Sequence, residues 1–190
     1  LKKKLIAGVD EVGRGCIAGP VVSAAVILKH SINLNLLKDS KKISFNKREK
    51  IAEHIKDNSY YAIGTASVDE ILNLNILQAS LLSMKRALER LTLKPNLTLI
   101  DGNFAPKGLQ NYKTIINGDE KIKVISAASI IAKVYRDKFM IKLSKKFSDY
   151  AWERNFGYGT KAHLEGLKKF GITLHHRKGF KPVRNMLSSY

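Results

Sequence analysis

Cysteine is nearly missing from this chain. With Cys16 alone, no intrachain disulfide can form and no cysteine-built zinc site is available. Such a chain suits a reducing compartment, so a cytoplasmic protein is expected. Long apolar runs are missing as well: nothing approaches the ~18 consecutive apolar residues of a membrane span, and no membrane association is expected. Lys2-Lys3-Lys4 before apolar residues looks like the start of a signal peptide. The run meets Asp10-Glu11 before an apolar centre develops, and a small-residue cleavage pattern is lacking. Internal repeats, low-complexity tracts and linkers are absent, so residues 1–190 are expected to form one domain, with a basic helical segment over about 150–190. Two common signatures are also lacking, the Gly-x-x-x-x-Gly-Lys-Ser/Thr nucleotide loop and the Gly-x-Ser-x-Gly elbow, which disfavours the chemistry each supports.

Acidic residues are the other scarcity. Only 16 Asp and Glu stand against 34 Lys and Arg, a formal net charge of +18 with a pI near 10.0. An excess of this size favours a polyanionic partner, and nucleic-acid-processing, ribosome-bound and membrane-surface proteins all share it. From Lys133 onward, 14 Lys and Arg accompany 4 Asp and Glu, alongside an aromatic, glycine-containing stretch from Trp152 to Gly159. Such a run is either a solvated helical face or one wall of a nucleic-acid groove. With 190 residues, 44% of them hydrophobic, the chain can bury a full core.

The apolar patterning predicts an α/β arrangement. Lys4 to Val9 reads as a short buried strand, and Pro20 to Leu28 as a second whose nearly continuous apolar character suits a sheet covered on at least one face. A polar loop from Lys29 to Lys42 precedes Ser44, an N-cap for a helix through Ile51 and Ile55. Tyr60 to Ala66 reads as a strand. Ser67-Val68-Asp69-Glu70 matches a capping box that opens helix through Leu81, Leu82 and Leu88. Leu97 to Asp101 and Tyr112 to Ile116 are further strands, and Asn117 to Glu120 is a turn before a helix over Ala127–Lys146. Thr160 caps a helix closed by Gly171, and a short helix follows Pro182.

Within this pattern, the stretch Gly8-Val9-Asp10-Glu11-Val12-Gly13-Arg14-Gly15 is the most telling. Two adjacent carboxylates end a buried strand, and a Gly-Arg-Gly turn follows at once. Carboxylates supply the oxygen ligands that hard divalent cations take. Glycines let backbone N–H groups approach a phosphate or sugar, and arginine offers a planar, permanent charge. Asp101 likewise follows a strand, and Asp119-Glu120 lies in a turn. Any one of these acids alone is more often a turn former or cap, whereas the set of them in a basic chain weighs equally toward a shared site. Brought together they would repel, and could not all ionise without cations; two Mg²⁺ ions would relieve the repulsion and support phosphodiester hydrolysis with no Ser, Cys or His nucleophile. The adjacent His175 and His176 lack Cys partners and usually would diverge, so zinc binding there is not expected.

In their order along the chain, these segments resemble bacterial ribonuclease HII, the type 2 ribonuclease H family. The resemblance covers essentially the whole chain and rests on Gly8 to Gly15, Ala18-Gly19-Pro20-Val21-Val22, Asp39-Ser40-Lys41-Lys42, Ile100-Asp101-Gly102 and Gly118-Asp119. Ser126 to Val134, Arg136-Asp137, Gly157-Tyr158 and His163-Leu164 complete it. It implies an RNase H-like fold, a mixed five-stranded sheet flanked by helices with a helical C-terminal part. It implies a divalent-metal-dependent endonuclease that cuts the RNA strand of RNA–DNA hybrids and nicks ribonucleotide-containing duplex DNA 5′ to the ribonucleotide, leaving a 5′-phosphate and a 3′-hydroxyl. The sequence leaves the oligomeric state open, with a monomer the simpler expectation. By the same resemblance Asp10, Glu11, Asp101 and Asp119 bind two Mg²⁺ or Mn²⁺ ions and are catalytic. The backbone at Gly13, Arg14 and Gly15 meets the ribose 2′-OH, Tyr158 stacks on the sugar of the next nucleotide, and Lys41 contacts a phosphate. Glu120 matches no catalytic position of the family.

Two departures stand out: Cys16 occupies a place where many relatives have proline, and Gly179 one where many have serine. The nearest alternative is a ribonuclease HIII-like enzyme, a group that usually carries an extra N-terminal substrate-binding domain, for which no room is expected before Leu5. A non-catalytic nucleic-acid-binding protein is the alternative from charge alone.

Overall fold

The computed structural model describes residues 4–29 and 44–188. Lys41 and nearly all of the predicted polar loop lie outside these. Strand β1 (Ile6–Val12) pairs antiparallel with β2 (Val21–Leu28), which pairs antiparallel with β3 (Ser59–Ala66). On its other side β1 pairs parallel with β4 (Leu97–Asp101), and β4 pairs parallel with β5 (Tyr112–Ile115). The order is β3-β2-β1-β4-β5, the mixed five-stranded sheet that the resemblance implies.

Helices cover both faces, which explains why β2 is apolar at almost every position. Side chains alternate across a strand, so Ala24 and Val26 pack with α1 (Phe45–Asp57) and α4 (Lys123–Ser144). Ala25 joins Val9, Ile100 and α2 (Val68–Glu89) on the opposite face. The capping box predicted for α2 is present: Ser67 Oγ accepts the Glu70 N–H at 3.1 Å and Glu70 Oε2 accepts the Ser67 N–H at 2.9 Å. Ser44 does precede α1, but its side chain makes no cap bond. Inside α2 the backbone breaks at Asn75 (φ 66), whose Oδ1 accepts the Leu77 and Gln78 N–H groups and restarts the helix.

Helix α4 begins at Lys123, four residues before the predicted start, and the expected turn ahead of it holds a left-handed Asn117 (φ 53) and one helical turn, α3 (Gly118–Lys121). The stretch read as a loop from Trp152 contains a helical turn, α5 (Trp152–Asn155). The chain ends in α6 (Lys161–Phe170), where Thr160 Oγ1 accepts the His163 N–H, and α7 (Lys181–Leu187).

α4 lies across β1 closely enough that Gly8 has no room for a side chain: a Cβ there would overlap the Val124 carbonyl group and the Ile125 nitrogen. Forcing one in separates helix and sheet. Gly8→Ala is therefore expected to destabilise by about 2–3 kcal/mol, lowering the melting temperature by roughly 4–12 °C. Thermal unfolding of the variant checks this, and an unchanged midpoint would contradict the packing.

Candidate active site

The sheet ladders place the first two acids. β1 stays paired with β2 as far as Val12↔Val22, but its pairing with β4 stops at Val9↔Ile100. Asp10 and Glu11 therefore lie within β1, not beyond its end as the apolar pattern suggested, and emerge where β4 no longer flanks the strand. Asp101 is the last residue of β4. Its Oδ1 accepts the Gly118 N–H at 2.6 Å, tying the start of α3 to the strand end and carrying Asp119 alongside. All four acids line one pocket of about 300 Å³, together with Ser129 and Lys133 of α4, Arg48 of α1, and Tyr158.

The electrostatics are costly. Asp10 is 5% exposed, and its pKa is raised well above the usual carboxylate value, first by burial and next by the charge of Glu11; Ser129 and the Glu11 amide pull it back, while Asp101 adds to the rise. The Glu11 N–H donates to Asp10 Oδ1 at 2.7 Å. Burial also pushes Glu11 up, against the pull of Arg14, whose Nη1 donates to Glu11 Oε1 at 3.1 Å. Glu11 Oε2 is buried without a hydrogen-bond partner. An orphaned carboxylate oxygen beside a second buried carboxylate is the donor set that a hard divalent cation would satisfy. Among the described residues, no three His, Cys, Asp or Glu side chains lie close enough together to hold an ion by themselves. Mg²⁺ sites commonly take one or two carboxylates and complete the shell with water and substrate phosphate.

The other predicted residues surround the same pocket. Gly13 (φ +92) backs directly onto the Arg136 side chain, where no Cβ would fit. Arg14 and Gly15 are exposed, and a Cβ on Gly15 would lie 3.9 Å from Tyr158 Cε1, so turn and tyrosine are neighbours. Cys16 is buried, its thiol donating to the Phe156 carbonyl at 3.7 Å. Glu120, left out of the site, does not line the pocket.

Several site residues carry no role in the sequence reading. Buried Asp137 pairs with Lys133 at 2.7 Å and lies 3.8 Å from Arg48, holding two cations at the pocket wall. Arg136 is fully buried and donates to the carbonyls of Pro20 (2.9 Å), Phe156 (2.7 Å) and Ala18 (2.9 Å). Lys133 and Arg136 fall in segments that carry the resemblance, which gave a signal without a function. Arg48 sits in a lysine-rich helix and looked like any solvated cation.

The family model of ribonuclease HII matches residues 7–183. The chain belongs to the ribonuclease HII family. It is 59% identical over 186 residues to ribonuclease HII of Pelagibacter ubique (strain HTCC1062), covering 97% of this chain and 100% of that one. Identity to the Coxiella burnetii (strain Dugway 5J108-111) ribonuclease HII is 50% over 183 residues, covering 96% and 91% respectively. Among solved structures, ribonuclease H2 from Pyrococcus horikoshii OT3 superposes with a TM-score of 0.81 at 27% identity, covering 97% of this chain and 98% of that one. Bst-RNase HIII in complex with Mn²⁺ shares the fold, with a TM-score of 0.76 at 18% identity over 98% of this chain and 70% of that one. Membership makes the chain a divalent-metal-dependent ribonuclease H, an endonuclease of a family that acts on RNA–DNA hybrids. No helix among the described residues is long and apolar enough to cross a membrane.

Proposed function

We propose that this ribonuclease H hydrolyses the RNA strand of RNA–DNA hybrids and also nicks duplex DNA on the 5′ side of a single embedded ribonucleotide, leaving a 5′-phosphate and a 3′-hydroxyl. Asp10, Glu11, Asp101 and Asp119 would hold two divalent ions, Mg²⁺ or Mn²⁺. The observation that carries the reading is their convergence: acids from β1, β4 and α3 line one pocket, with one buried Glu11 oxygen left without a partner. Held by these acids, such ions would neutralise their mutual repulsion and supply Lewis-acid activation for phosphodiester hydrolysis. Asp101 links β4 to α3 and so keeps the acids in register. Arg48 and Lys133, with the basic surface around them, attract the phosphate backbone.

Selection for RNA needs a group that reads the 2′-OH, which both donates and accepts hydrogen bonds. The backbone of the Gly13-Arg14-Gly15 turn, exposed at Arg14 and Gly15, takes that role in this proposal. Tyr158 stacks on the sugar of the following nucleotide and disfavours a ribose there, so the two together read a ribonucleotide-to-deoxyribonucleotide junction. Lys41 contributes a phosphate contact. Residues 1–190 act as one catalytic domain and as a monomer, in the cytoplasm, in keeping with a single buried cysteine.

The test is a DNA duplex carrying one ribonucleotide, incubated with Mg²⁺ or Mn²⁺. One nick on the 5′ side of the ribonucleotide is expected. Cleavage of long hybrids without that nick would point to a ribonuclease HIII-like preference and overturn the junction reading. Binding without a cut on any substrate, under either ion, would overturn the proposal altogether.

A further inference from the structure

The segment His175-His176-Arg177 plays no part in the proposal above, yet it is joined to both halves of the recognition site. On one side its backbone pairs with the chain that follows the Gly-Arg-Gly turn. The Gly19 N–H donates to the His175 carbonyl at 2.9 Å, the Arg177 N–H donates to the Ile17 carbonyl at 2.8 Å, and Ala18 bridges His176. The Arg177 side chain, 1% exposed, donates from Nε to the Gly19 carbonyl at 2.9 Å and from Nη1 to the Arg14 carbonyl at 3.0 Å. In a trans peptide the C=O and the following N–H point in opposite directions. Tying the Arg14 carbonyl to a buried guanidinium therefore turns the Gly15 N–H outward, to the exposed side of the turn.

On the other side the segment reaches Tyr158 through two buried imidazoles. His176 Nδ1 accepts the Thr173 N–H at 2.9 Å, so its proton sits on Nε2 and is donated to His163 Nε2 at 3.1 Å. The same His163 nitrogen accepts the Trp152 indole N–H at 3.0 Å. The remaining His163 proton must then lie on Nδ1, which donates to the Tyr158 carbonyl at 2.8 Å. These tautomers follow from two groups that can only donate, a backbone amide and an indole. Burial lowers the pKa of His163, and burial with its histidine neighbours lowers that of His176 to about 3, so the neutral pattern holds at working pH.

We propose that the His175–Arg177 segment is a splint that fixes the Gly-Arg-Gly turn relative to Tyr158, making His163, His176 and Arg177 positioning residues for junction specificity. All three are buried, so they act through the groups they hold. The inference rests on the reading that turn and tyrosine recognise the junction.

The experiment compares kcat/KM at a ribonucleotide–deoxyribonucleotide step with that at a ribonucleotide–ribonucleotide step in the same duplex. The ratio is measured for the parent, Tyr158→Ala, His163→Gln, His163→Asn and Arg177→Lys. Gln can reproduce the Nε2 acceptor without the donor to Tyr158; Asn can reproduce the donor. His163→Gln is expected to lower the ratio about three- to tenfold, the scale of one neutral hydrogen bond. It should leave cleavage at the ribonucleotide–ribonucleotide step within about twofold, and have no further effect in a Tyr158→Ala background. His163→Asn should restore most of the ratio. Arg177→Lys keeps the charge but not the fork that spans two carbonyls, so it should lower the ratio too, and it carries the test if His163→Gln does not fold. If Tyr158→Ala lowers the ratio while His163→Gln and Arg177→Lys leave it unchanged, or slow both steps equally, the splint is overturned and the junction reading stands. If Tyr158→Ala itself leaves the ratio unchanged, the junction reading falls and the splint with it.

Discussion

Asp10→Asn is expected to abolish cleavage and, at the same time, raise the melting temperature of the metal-free protein. Both effects have one source. Asp10 is almost fully buried beside Glu11 and near Asp101, and its ionised form is disfavoured first by burial and then by those charges. An amide of the same shape still accepts the Glu11 N–H but carries no charge to desolvate. Relief of about 1–2 kcal/mol corresponds to a rise of roughly 2–8 °C. The penalty exists only for the ionised carboxylate, so the gain should grow as pH rises above the acidic range and shrink below it. Removing a carboxylate that would bind the ions forfeits several kcal/mol of transition-state stabilisation, on the order of 10³-fold or more in rate. Thermal unfolding in chelator and the nicking assay in Mn²⁺ measure the two halves. A variant with full activity, or one destabilised at neutral pH without metal, would contradict the assignment. Stability given up for function is common at active sites.

Arg136→Met is expected to destabilise the fold more than Gly8→Ala does, by about 3–5 kcal/mol or a fall of roughly 6–20 °C. The guanidinium is wholly buried and donates to three carbonyls, those of Ala18, Pro20 and Phe156, while its stem packs under Gly13. Methionine fills much of the same space but leaves those carbonyls short of a donor, and each unsatisfied buried acceptor costs about 1–3 kcal/mol. Losing a buried charge recovers part of the desolvation cost, which holds the total below the sum. Arg136→Lys should recover little, because one ammonium cannot span three carbonyls held in a fork geometry. Urea unfolding of both variants, with the Gly13 loop followed by hydrogen exchange, is the measurement. Local protection in residues 13–20 unchanged from the parent would show that the loop does not depend on this side chain.

Much of the architecture was legible because the relevant forces are local. The nearly continuous apolar run of β2 signalled a sheet covered on at least one face, and helices cover both; the Ser67–Glu70 capping box forms as read. Errors arose where local pattern and long-range pairing disagree. Polar Asp10 and Glu11 looked like the end of a strand, but β2 keeps β1 extended to Val12. The start of α4 runs through Val124 and Ile125, β-branched residues with weak helical preference; packing on β1 overrides it. Asn75 gave no sign of breaking α2, since a left-handed asparagine is indistinguishable from a helical one in the sequence alone.

The site divides the same way. The ordered combination of motifs along the chain, from Gly8–Gly15 to His163-Leu164, was enough to signal the family, because a motif is a one-dimensional object. Which cations are buried was not readable: Arg136 and Arg177 look like the surface lysines around them until Ala18, Pro20 and Arg14, 118, 116 and 163 positions away, present their carbonyls. A charged side chain enters the interior only when the fold delivers partners for its donors. The linkage of His176 through His163 to Tyr158 is likewise a product of tertiary packing, since imidazole tautomers are set by neighbours that only the folded chain brings within about 3 Å. Sequence by itself determined the strands, the charge and the chemistry available; folding decided which of those groups meet, because desolvation and hydrogen bonding act across space and not along the chain.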